Sequence, residues 1–200
     1  MEPADAKRAL REGARAARRA IPPEVRAEKS RLVAEKALAL PEVRAASAVA
    51  CYVGVRSEVD TTLVLRGLLA RGVVVAVPAM VDDRIRMVRL QHPWALAPAA
   101  AAGGVPEPRQ PWTEVEGGAL GVVMVPGLRF GRDGSRLGNG GGHFDRFLAE
   151  HPGPRRVGLA FAEQVVPALD VEAHDQGMDV VVTDAEVLRA PRRGPPAGLP

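Results

Sequence analysis

Hydrophobic positions follow a helical spacing in some segments of the chain and form continuous runs in others. Residues 3–20 and 22–39 are rich in Ala, Arg, Glu and Leu, and the Pro-Pro pair at their junction suits the first turn of a second helix. Residues 61–72 open on a threonine, close on a glycine and have helical spacing. The apolar positions of 143–151 show the same spacing. The sequence therefore predicts two N-terminal helices and two later ones.

Apolar runs with few polar interruptions predict strands that are covered on both faces of a sheet. These runs are 46–55, 73–80, 120–127, 156–161 and 178–184. Residues 84–90 alternate between polar and apolar side chains, which predicts a half-exposed strand. Because strands alternate with helices, we expect an α/β fold: a single three-layer domain with a mainly parallel sheet flanked by helices.

Two segments are predicted to lie outside the regular elements. Residues 93–111 are rich in Pro, Ala and Gly and are predicted as a surface loop. Residues 190–200, which read APRRGPPAGLP, are predicted as a disordered tail. The expected domain therefore comprises residues 1–189.

Composition narrows the class of protein. The 200 residues are 46% hydrophobic and 26% charged, as in ordinary soluble globular proteins. No apolar run is long enough to span a bilayer, and the N-terminal segment lacks the apolar core of a secretory signal. The single cysteine, Cys51, excludes an intrachain disulfide. We expect a cytoplasmic protein, monomeric and without a membrane partner.

The charge balance raises the alternative of a nucleic-acid-binding protein. The formal net charge is only +3, although the sequence pI is about 9.6, and several bases cluster in the tail at Arg189, Arg192 and Arg193. Aromatic residues make up 4% of the chain, too few for base-stacking platforms, and no recognition motif is present. We therefore expect no nucleic-acid partner, which a salt-titrated binding assay can check.

A glycine-rich segment is the main candidate for a ligand site. Residues 134–146 read GSRLGNGGGHFDR and precede the predicted helix at 143–151. Glycines at the carboxyl edge of a parallel sheet let backbone N–H groups approach a phosphate. A flexible surface hairpin is the alternative. The P-loop and Rossmann patterns do not fit, because no Lys-Ser/Thr pair follows the glycines and the segment lies late in the chain.

Six motifs, in order along the chain, resemble those of the 5-formyltetrahydrofolate cyclo-ligase family, also called methenyltetrahydrofolate synthetases. The longest is VPGLRFGRDGSRLGNGGGHFDRFL at 125–148. The others are Lys7-Arg8-Ala9-Leu10-Arg11, Tyr52 followed by Ser57-Glu58-Val59-Asp60-Thr61, Glu107-Pro108, Gln164-Val165-Val166 and His174-Asp175. The resemblance thus covers residues 7–184.

The resemblance implies an ATP- and Mg²⁺-dependent enzyme that acts on a reduced folate. The family converts 5-formyltetrahydrofolate to 5,10-methenyltetrahydrofolate and releases ADP and phosphate. ATP phosphorylates the formyl oxygen, the neighbouring nitrogen closes onto the activated carbon, and phosphate leaves. Phosphorylation is chemically sensible here, because an amide-like formyl group is a poor electrophile until its oxygen becomes a good leaving group.

The resemblance also implies which residues bind ATP. They are Lys7, Arg8, Ala9, Leu10 and Arg11, together with Arg136, Leu137, Gly138, Asn139, Gly140, Gly141, Gly142, His143 and Phe144. Arg136 and His143 are the candidate catalytic residues among them. Lys7 and Arg11 lie one helical turn apart, so we expect both to face the same phosphates; a solvated basic helix face is the alternative.

Four further residues are implied for the metal and the folate. Asp145 and Asp175 would be Mg²⁺ ligands, since this cation takes carboxylate and phosphate oxygens together. The alternatives are an acid that compensates the dipole of its own helix for Asp145 and an ordinary loop acid for Asp175. Glu58 would pair with N–H groups of the folate pterin, or else precede the helix at 61–72 as an N-terminal acid. Val53 would be a second substrate contact, or else an ordinary core residue.

The sequence departs from the family pattern at two positions. Bacterial members usually carry an aromatic pair that ends in Tyr before the Asp, whereas this chain has His143-Phe144, and Asn139 stands where a larger residue is common. His143 can still stack on the pterin and, when charged, stabilise developing phosphate charge. A paralogue that binds ATP or folate without this turnover is therefore the alternative function.

Overall fold

The structure, a computed structural model, describes residues 3–92, 96–97, 106–108, 110–172 and 174–191. The predicted tail at 190–200 lies outside the described residues from position 192 onward. Most of the predicted loop at 93–111 also lies outside them. Its described parts pair as two short antiparallel strands, and Pro108 is buried, so the prediction of a surface loop is wrong at that position.

Proline and amphipathic patterning set the starts and faces of the helices. They are α1 (Pro3–Ala20), α2 (Pro23–Ala39), α3 (Pro41–Ala45), α4 (Thr62–Ala70) and α5 (His143–Glu150). Proline occupies the first turn of both α2 and α3, where its missing N–H has no intrahelical partner to lose. The two predicted N-terminal helices are confirmed, while the five-residue α3 was not predicted.

Twelve strands form three sheets in the described part of the chain. They are β1 (Ala48–Cys51), β2 (Val74–Val81), β3 (Arg84–Arg89), β4 (Leu96–Ala97), β5 (Glu107–Pro108), β6 (Val122–Val125), β7 (Arg129–Gly131), β8 (Arg136–Leu137), β9 (Arg155–Leu159), β10 (Val165–Val166), β11 (Val180–Val182) and β12 (Val187–Arg189). The main sheet has the order β12-β11-β9-β6-β1-β2-β3. Its five inner strands are parallel, and only the edge strands β3 and β12 are antiparallel, which confirms the mainly parallel sheet.

The inner strands bury both faces, as their apolar runs predict. In β1, Val49 and Cys51 point to a core shared with α2, α3 and α4. Ala48 and Ala50 point to the opposite core, which contains Phe130 and the apolar face of α5. Each fully buried Val or Leu contributes about 1.5–3 kcal/mol to stability. The result is a three-layer domain, as expected from the sequence.

The observed strands are shorter than the apolar runs that predict them. The run 46–55 yields only Ala48–Cys51, because the chain leaves the sheet after Cys51 to form a loop over its carboxyl edge. A small sheet, ordered β10-β7-β8, was not predicted. No helix of the described residues has both the length and the apolar character needed to cross a bilayer.

Candidate active site

A cleft of about 820 Å³ opens at the carboxyl ends of β1 and β6, which are parallel neighbours in the sheet. Tyr52 and Val53 enter it directly after β1, and Pro126 directly after β6. The C-terminal half of α1 and the start of α5 close its sides. Ten of the residues implied by the motifs line it: Val53, Glu58, Arg136, Gly138, Asn139, Gly141, Gly142, His143, Phe144 and Asp145. The residues implied by the motifs therefore meet at the carboxyl edge of the sheet, where α/β folds commonly bind ligands.

The glycine segment forms the wall of the cleft between β8 and α5. Gly140 has φ of +109° and Gly142 has φ of +65°, so both adopt backbone conformations that other residues rarely reach. Gly142 is the residue that precedes the first turn of α5, and no side chain caps that turn. Backbone N–H groups at the start of α5 therefore remain available to an anion at the cleft.

Arg136 places a buried positive charge beneath this wall. Its side chain donates from Nη2 to Asp145 Oδ1 and from Nη1 to the carbonyl oxygen of Pro126 at 3.2 Å. Its Nε is buried and makes no hydrogen bond with the described residues. A buried unpaired donor costs free energy, and such groups concentrate at functional sites. Arg136 therefore still has a donor to offer.

The two candidate metal ligands approach each other from different elements. Asp145 lies in the first turn of α5, and its Oδ1 also accepts a hydrogen bond from the backbone N–H of Gln176 at 3.0 Å. This bond ties Asp145 to the residue that follows Asp175 in the chain. The described residues hold no cluster of three or more His, Cys, Asp or Glu side chains suited to a metal. Of the two candidate Mg²⁺ ligands, Asp145 lines the cleft, whereas Asp175 is not among its lining residues.

Lys7, near the start of α1, pairs with two acids that are not among the lining residues of the cleft. Its Nζ lies 2.8 Å from Glu172 Oε1 and 3.3 Å from Asp175 Oδ2. Burial lowers the pKa of Lys7, but the hydrogen bonds and charges of the two acids outweigh this effect and raise the pKa. Lys7 is therefore a charged group paired with a candidate metal ligand, not the solvated helix face that the sequence left open.

The rest of the N-terminal motif meets the glycine segment from α1. Arg11 Nε donates to the carbonyl oxygen of Gly138 at 3.3 Å. Ala9, Leu10 and Leu137 lie at a second, apolar cavity on the other side of α1, and Arg8 is exposed. Lys7 thus contacts two acids near residue 175 while Arg11 contacts the glycine segment, and Ala9, Leu10 and Leu137 lie at the second cavity instead of the main cleft.

Glu58 and Val53 lie on the opposite wall. The pKa of Glu58 is raised by burial, against the lowering effects of the Arg18 charge, the Val55 backbone N–H and the Asn139 side chain. Glu58 Oε2 accepts the Val55 N–H at 3.2 Å. Val53 both packs against the core and lines the cleft. Glu58 therefore faces a ligand site, although it also precedes α4 as the sequence allowed.

His143 connects the glycine segment to the tip of the β2–β3 hairpin. Its Nδ1 lies 3.3 Å from the carbonyl oxygen of Asp83, and Arg146 donates from Nη2 to the same oxygen at 3.0 Å. The imidazole lines the cleft and is about one-third exposed. His143 therefore lies where it could contact either the phosphates or the folate that the resemblance implies.

Some residues of the cleft were not predicted from the sequence. Arg15 donates to the carbonyl oxygen of Asn139 at 2.8 Å, and Arg18 lies in the wall beside Glu58. Arg11, Arg15 and Arg18 have i, i+4, i+7 spacing and thus share one face of α1. This spacing is the sequence signal from which Arg15 and Arg18 could have been predicted. Asp83 carries no such signal, because it reaches the cleft from a hairpin turn.

Known proteins resemble this chain over most of its length. The 5-formyltetrahydrofolate cyclo-ligase family matches residues 3–184. The 5-formyltetrahydrofolate cyclo-ligase of Mus musculus is 29% identical over 88% of this chain and 93% of its own, and that of Mycolicibacterium smegmatis is 33% identical over 73% and 74%.

Solved structures agree with these sequence relationships. The NMR structure of Aquifex aeolicus 5,10-methenyltetrahydrofolate synthetase superposes with a TM-score of 0.82 at 30% identity, over 96% of both chains. A Mycoplasma pneumoniae 5,10-methenyltetrahydrofolate synthetase shares the fold, with a TM-score of 0.72 at 20% identity over 89% of this chain and 98% of its own. The family predicted from six short motifs is thereby confirmed: this chain belongs to the 5-formyltetrahydrofolate cyclo-ligase family.

Proposed function

We propose that this protein catalyses the ATP-dependent cyclisation of 5-formyltetrahydrofolate to 5,10-methenyltetrahydrofolate, with release of ADP and phosphate. Family membership supports the reaction and the folate substrate. The observation that carries the proposal is a single cleft with an anion-binding wall at 138–142 and a carboxylate, Glu58, on the opposite wall. The two walls suit a triphosphate and a pterin respectively.

The ATP side of the cleft is supported by backbone geometry and fixed charge. The loop backbone at Gly140 and Gly142 and the first turn of α5 offer N–H groups to the phosphates. Arg136 supplies a buried charge whose Nε still needs an acceptor. Lys7 supplies a second charge, next to Asp175. These groups bind the γ-phosphate and compensate the charge that develops on it during transfer.

Mg²⁺ is proposed to be held by Asp145 and Asp175. Asp145 lines the cleft, and both carboxylates already neighbour cationic side chains, Arg136 and Lys7. When bound, Mg²⁺ supplies positive charge to the phosphate oxygens. The protein's own part is to hold the two carboxylates apart from the folate. Burial raises the pKa of Asp175, but the Glu172 backbone N–H and Lys7 together outweigh this effect and lower the pKa.

The folate side of the cleft orients the formyl group. We assign Glu58 to the donor groups of the pterin, which a carboxylate accepts as a pair. Val53 provides an apolar contact beside it. With the pterin held there, the formyl group points toward the glycine wall and the γ-phosphate. Holding the two reactants in line provides much of the catalysis in phosphoryl transfer.

The chemistry then proceeds in two steps. The formyl oxygen attacks the γ-phosphorus and ADP leaves. The neighbouring folate nitrogen attacks the activated carbon and loses its proton, the carbon–oxygen bond breaks, and phosphate leaves with that proton. Arg136 stabilises the phosphoryl group in both steps, and His143, at the edge of both subsites, contacts the leaving phosphate. These two residues are therefore proposed as catalytic.

The experiment that tests this function is direct. Purified protein with ATP, Mg²⁺ and 5-formyltetrahydrofolate is expected to produce the absorbance of methenyltetrahydrofolate, with one ADP formed per product. Reactions that lack ATP, or that contain a chelator, are the controls. A protein that binds ATP or folate by calorimetry but forms no product would contradict the proposal and favour the paralogue without turnover.

A further inference from the structure

Arg18 is one of two charged residues that are buried among the described residues, and both line the candidate active site. Arg18 is 8% exposed and Arg136 is 6% exposed. Arginine is rarely buried unless its guanidinium is paired, because removing the charge from water is costly. Arg136 belongs to the phosphate side of the cleft. Arg18 lies on the folate side, where the proposed function assigns it nothing.

The contacts of Arg18 converge on the segment that carries Glu58. Its Nε donates to Ser57 Oγ at 3.2 Å, and its Nη1 donates to the carbonyl oxygen of Gly127 at 3.3 Å. Its Nη2 lies 3.8 Å from Glu58 Oε1. One side chain thus ties the loop after β1 to the turn after β6, with its positive charge next to the carboxylate. The 3.8 Å separation is that of an ion pair without a close hydrogen bond.

Stability alone is a poor explanation for this arrangement. Replacing a buried ion pair by apolar side chains is often neutral or stabilising, whereas removing one partner leaves an uncompensated charge. The loop also has other anchors, since Glu58 Oε2 accepts the Val55 N–H and Gly54 N–H donates to Thr61 Oγ1. What Arg18 adds is a charge that opposes protonation of Glu58.

Several groups set the electrostatics around Glu58. Burial raises the pKa of Glu58, and the Arg18 charge is the largest effect that lowers it. The Asn139 side chain, from the glycine segment, and the charge of Arg56, from the same loop as Glu58, also lower the pKa of Glu58. Tyr52, directly after β1, is a neighbouring titratable side chain that carries no positive charge. The Arg18 guanidinium itself stays protonated in proteins at any working pH.

We propose that Arg18 is a positioning residue for folate binding: it holds the Glu58 carboxylate in place and ionised so that it accepts the pterin N–H groups. This inference rests on the proposed role of Glu58. Below the pKa of Glu58 the carboxyl is protonated and loses its capacity to pair with two donors. Without Arg18 that pKa rises further, so folate binding is lost at a higher pH than in the wild type.

The test measures the dissociation constant of 5-formyltetrahydrofolate against pH by calorimetry, without ATP. Below both pKa values, each unit by which the pKa rises reduces the ionised fraction about tenfold. Arg18→Gln is therefore expected to move the midpoint of the pH-dependent loss of folate binding to a higher pH, so that it weakens binding more on the acidic side of the wild-type midpoint than on the alkaline plateau. Arg18→Lys keeps the charge and is expected to retain the wild-type midpoint. ATP affinity should change by less than about twofold, because Arg18 contacts none of the assigned phosphate ligands.

Arg189→Gln is the matched control. Arg189 also pairs with a mostly buried carboxylate, Glu42, but at β12, outside the cleft. Its replacement is expected to leave the pH profile of folate binding unchanged. A wild-type profile in Arg18→Gln, even with uniformly weaker binding, would overturn the inference and make Arg18 purely structural.

A double variant covers the case in which Arg18→Gln fails to fold. Arg18→Gln/Glu58→Gln removes both charges and leaves no unpaired one, and its folate affinity is expected to match that of Glu58→Gln within about twofold. A further tenfold loss would show that Arg18 acts independently of Glu58. Turnover by the wild type is measured separately, so an active wild type together with an Arg18→Gln variant that keeps the wild-type pH profile contradicts only this inference and leaves the proposed function intact.

Discussion

At the residue scale, the charged groups of the candidate site are already paired with one another. Lys7 contacts Asp175, Arg136 contacts Asp145, and Arg18 faces Glu58. Each pair contains a group that we assign to a ligand. Binding of a triphosphate must therefore redistribute these contacts instead of filling a vacant charged pocket. Substitutions at these positions are expected to affect ligands selectively.

Lys7→Ala is expected to raise the KM for ATP far more than the KM for folate. Losing a charge-assisted contact costs about 1.5–3 kcal/mol, which corresponds to roughly 10- to 150-fold in affinity. Steady-state kinetics with each substrate varied in turn gives both constants. Lys29→Ala is the matched control, because Lys29 also pairs with two acids, Glu163 and Asp184, away from the cleft. An unchanged KM for ATP in Lys7→Ala would make the start of α1 a scaffold only.

Asp145→Asn is expected to reduce turnover at limiting Mg²⁺ by about tenfold or more, with partial recovery in excess Mg²⁺. Asparagine keeps an acceptor for the Gln176 N–H but leaves the buried Arg136 without its carboxylate partner, so thermal melting of the variant is measured beside its turnover. Asp179→Asn is the control, since Asp179 likewise accepts a backbone N–H, that of Arg156, outside the cleft. Equal turnover of Asp145→Asn and wild type at limiting Mg²⁺ would exclude Asp145 as a metal ligand.

Individual site residues were predictable only where a motif carried them. The motifs predict Glu58, Arg136 and Asp145 at the cleft, and the structure places all three there. The neighbours that tune them were not predictable, because pairs such as Arg18 and Glu58 lie far apart in sequence and share no spacing rule. The spacing of residues along a helix indicates which face of the helix each residue lies on. Which residue it then pairs with depends on how the helix packs against the rest of the protein.

At the element scale, long apolar runs predicted strands correctly, whereas very short strands were not predicted. Long runs such as 73–80 predict strands that the structure confirms with small shifts, here Val74–Val81. Strands β7, β8 and β10 have two or three residues each, too few to show a period, so they were not predicted. The glycine segment was predicted as a loop that needs the backbone freedom of glycine. The positive φ values of Gly140 and Gly142 confirm this property.

Gly140→Val is expected to abolish ATP binding with only a modest loss of thermal stability. A Cβ at φ of +109° is strained by about 1–2 kcal/mol, so the loop is expected to shift away from the phosphates to relieve it. Space alone is not limiting, because the nearest atom to an added Cβ is Arg11 Nε at 3.6 Å. Calorimetric ATP titration and thermal melting of the same variant separate the two effects.

Gly72→Val is the matched control for the loop. Gly72 has φ of +71° in the turn after α4, and an added Cβ there would have no described neighbour within 4 Å. Both substitutions therefore place a side chain at a positive φ, and only Gly140 belongs to the glycine segment at the cleft. Equal ATP affinity in both variants would reject the phosphate-binding role of the loop and support a purely structural hairpin.

At the scale of the whole molecule, the site arises from strand order. The loops that carry Glu58 and Gly127 meet because β1 and β6 are parallel neighbours, although the segments between them contain α4, β2 and β3. Local patterns predict which segments are strands and that their carboxyl ends bind ligands, but they do not encode which strands pair. The fold class was therefore predictable from the sequence alone, whereas the composition of the cleft walls was not.

Cys51 offers a probe of the whole molecule because it is the single cysteine and lies in the inner strand β1, 1% exposed. Burial also raises the pKa of its thiol well above the usual range, which suppresses the reactive thiolate. A thiol reagent is therefore expected to label the folded protein only through unfolding, roughly 10³-fold or more slowly than the urea-denatured chain. Absorbance of the released chromophore measures both rates.

Ligands should slow this labelling further if they bind the native cleft. A ligand at 100 times its dissociation constant stabilises the native state by about 2.7 kcal/mol, which slows labelling through global unfolding roughly 100-fold. ATP with Mg²⁺ and 5-formyltetrahydrofolate are each expected to have this effect in the wild type. Gly140→Val should lose the protection by ATP but keep the protection by folate, because only its phosphate wall is displaced. Rapid labelling that neither ligand slows would instead mean that β1 opens locally, and that the carboxyl edge of the sheet is not the rigid platform on which the two-walled cleft depends.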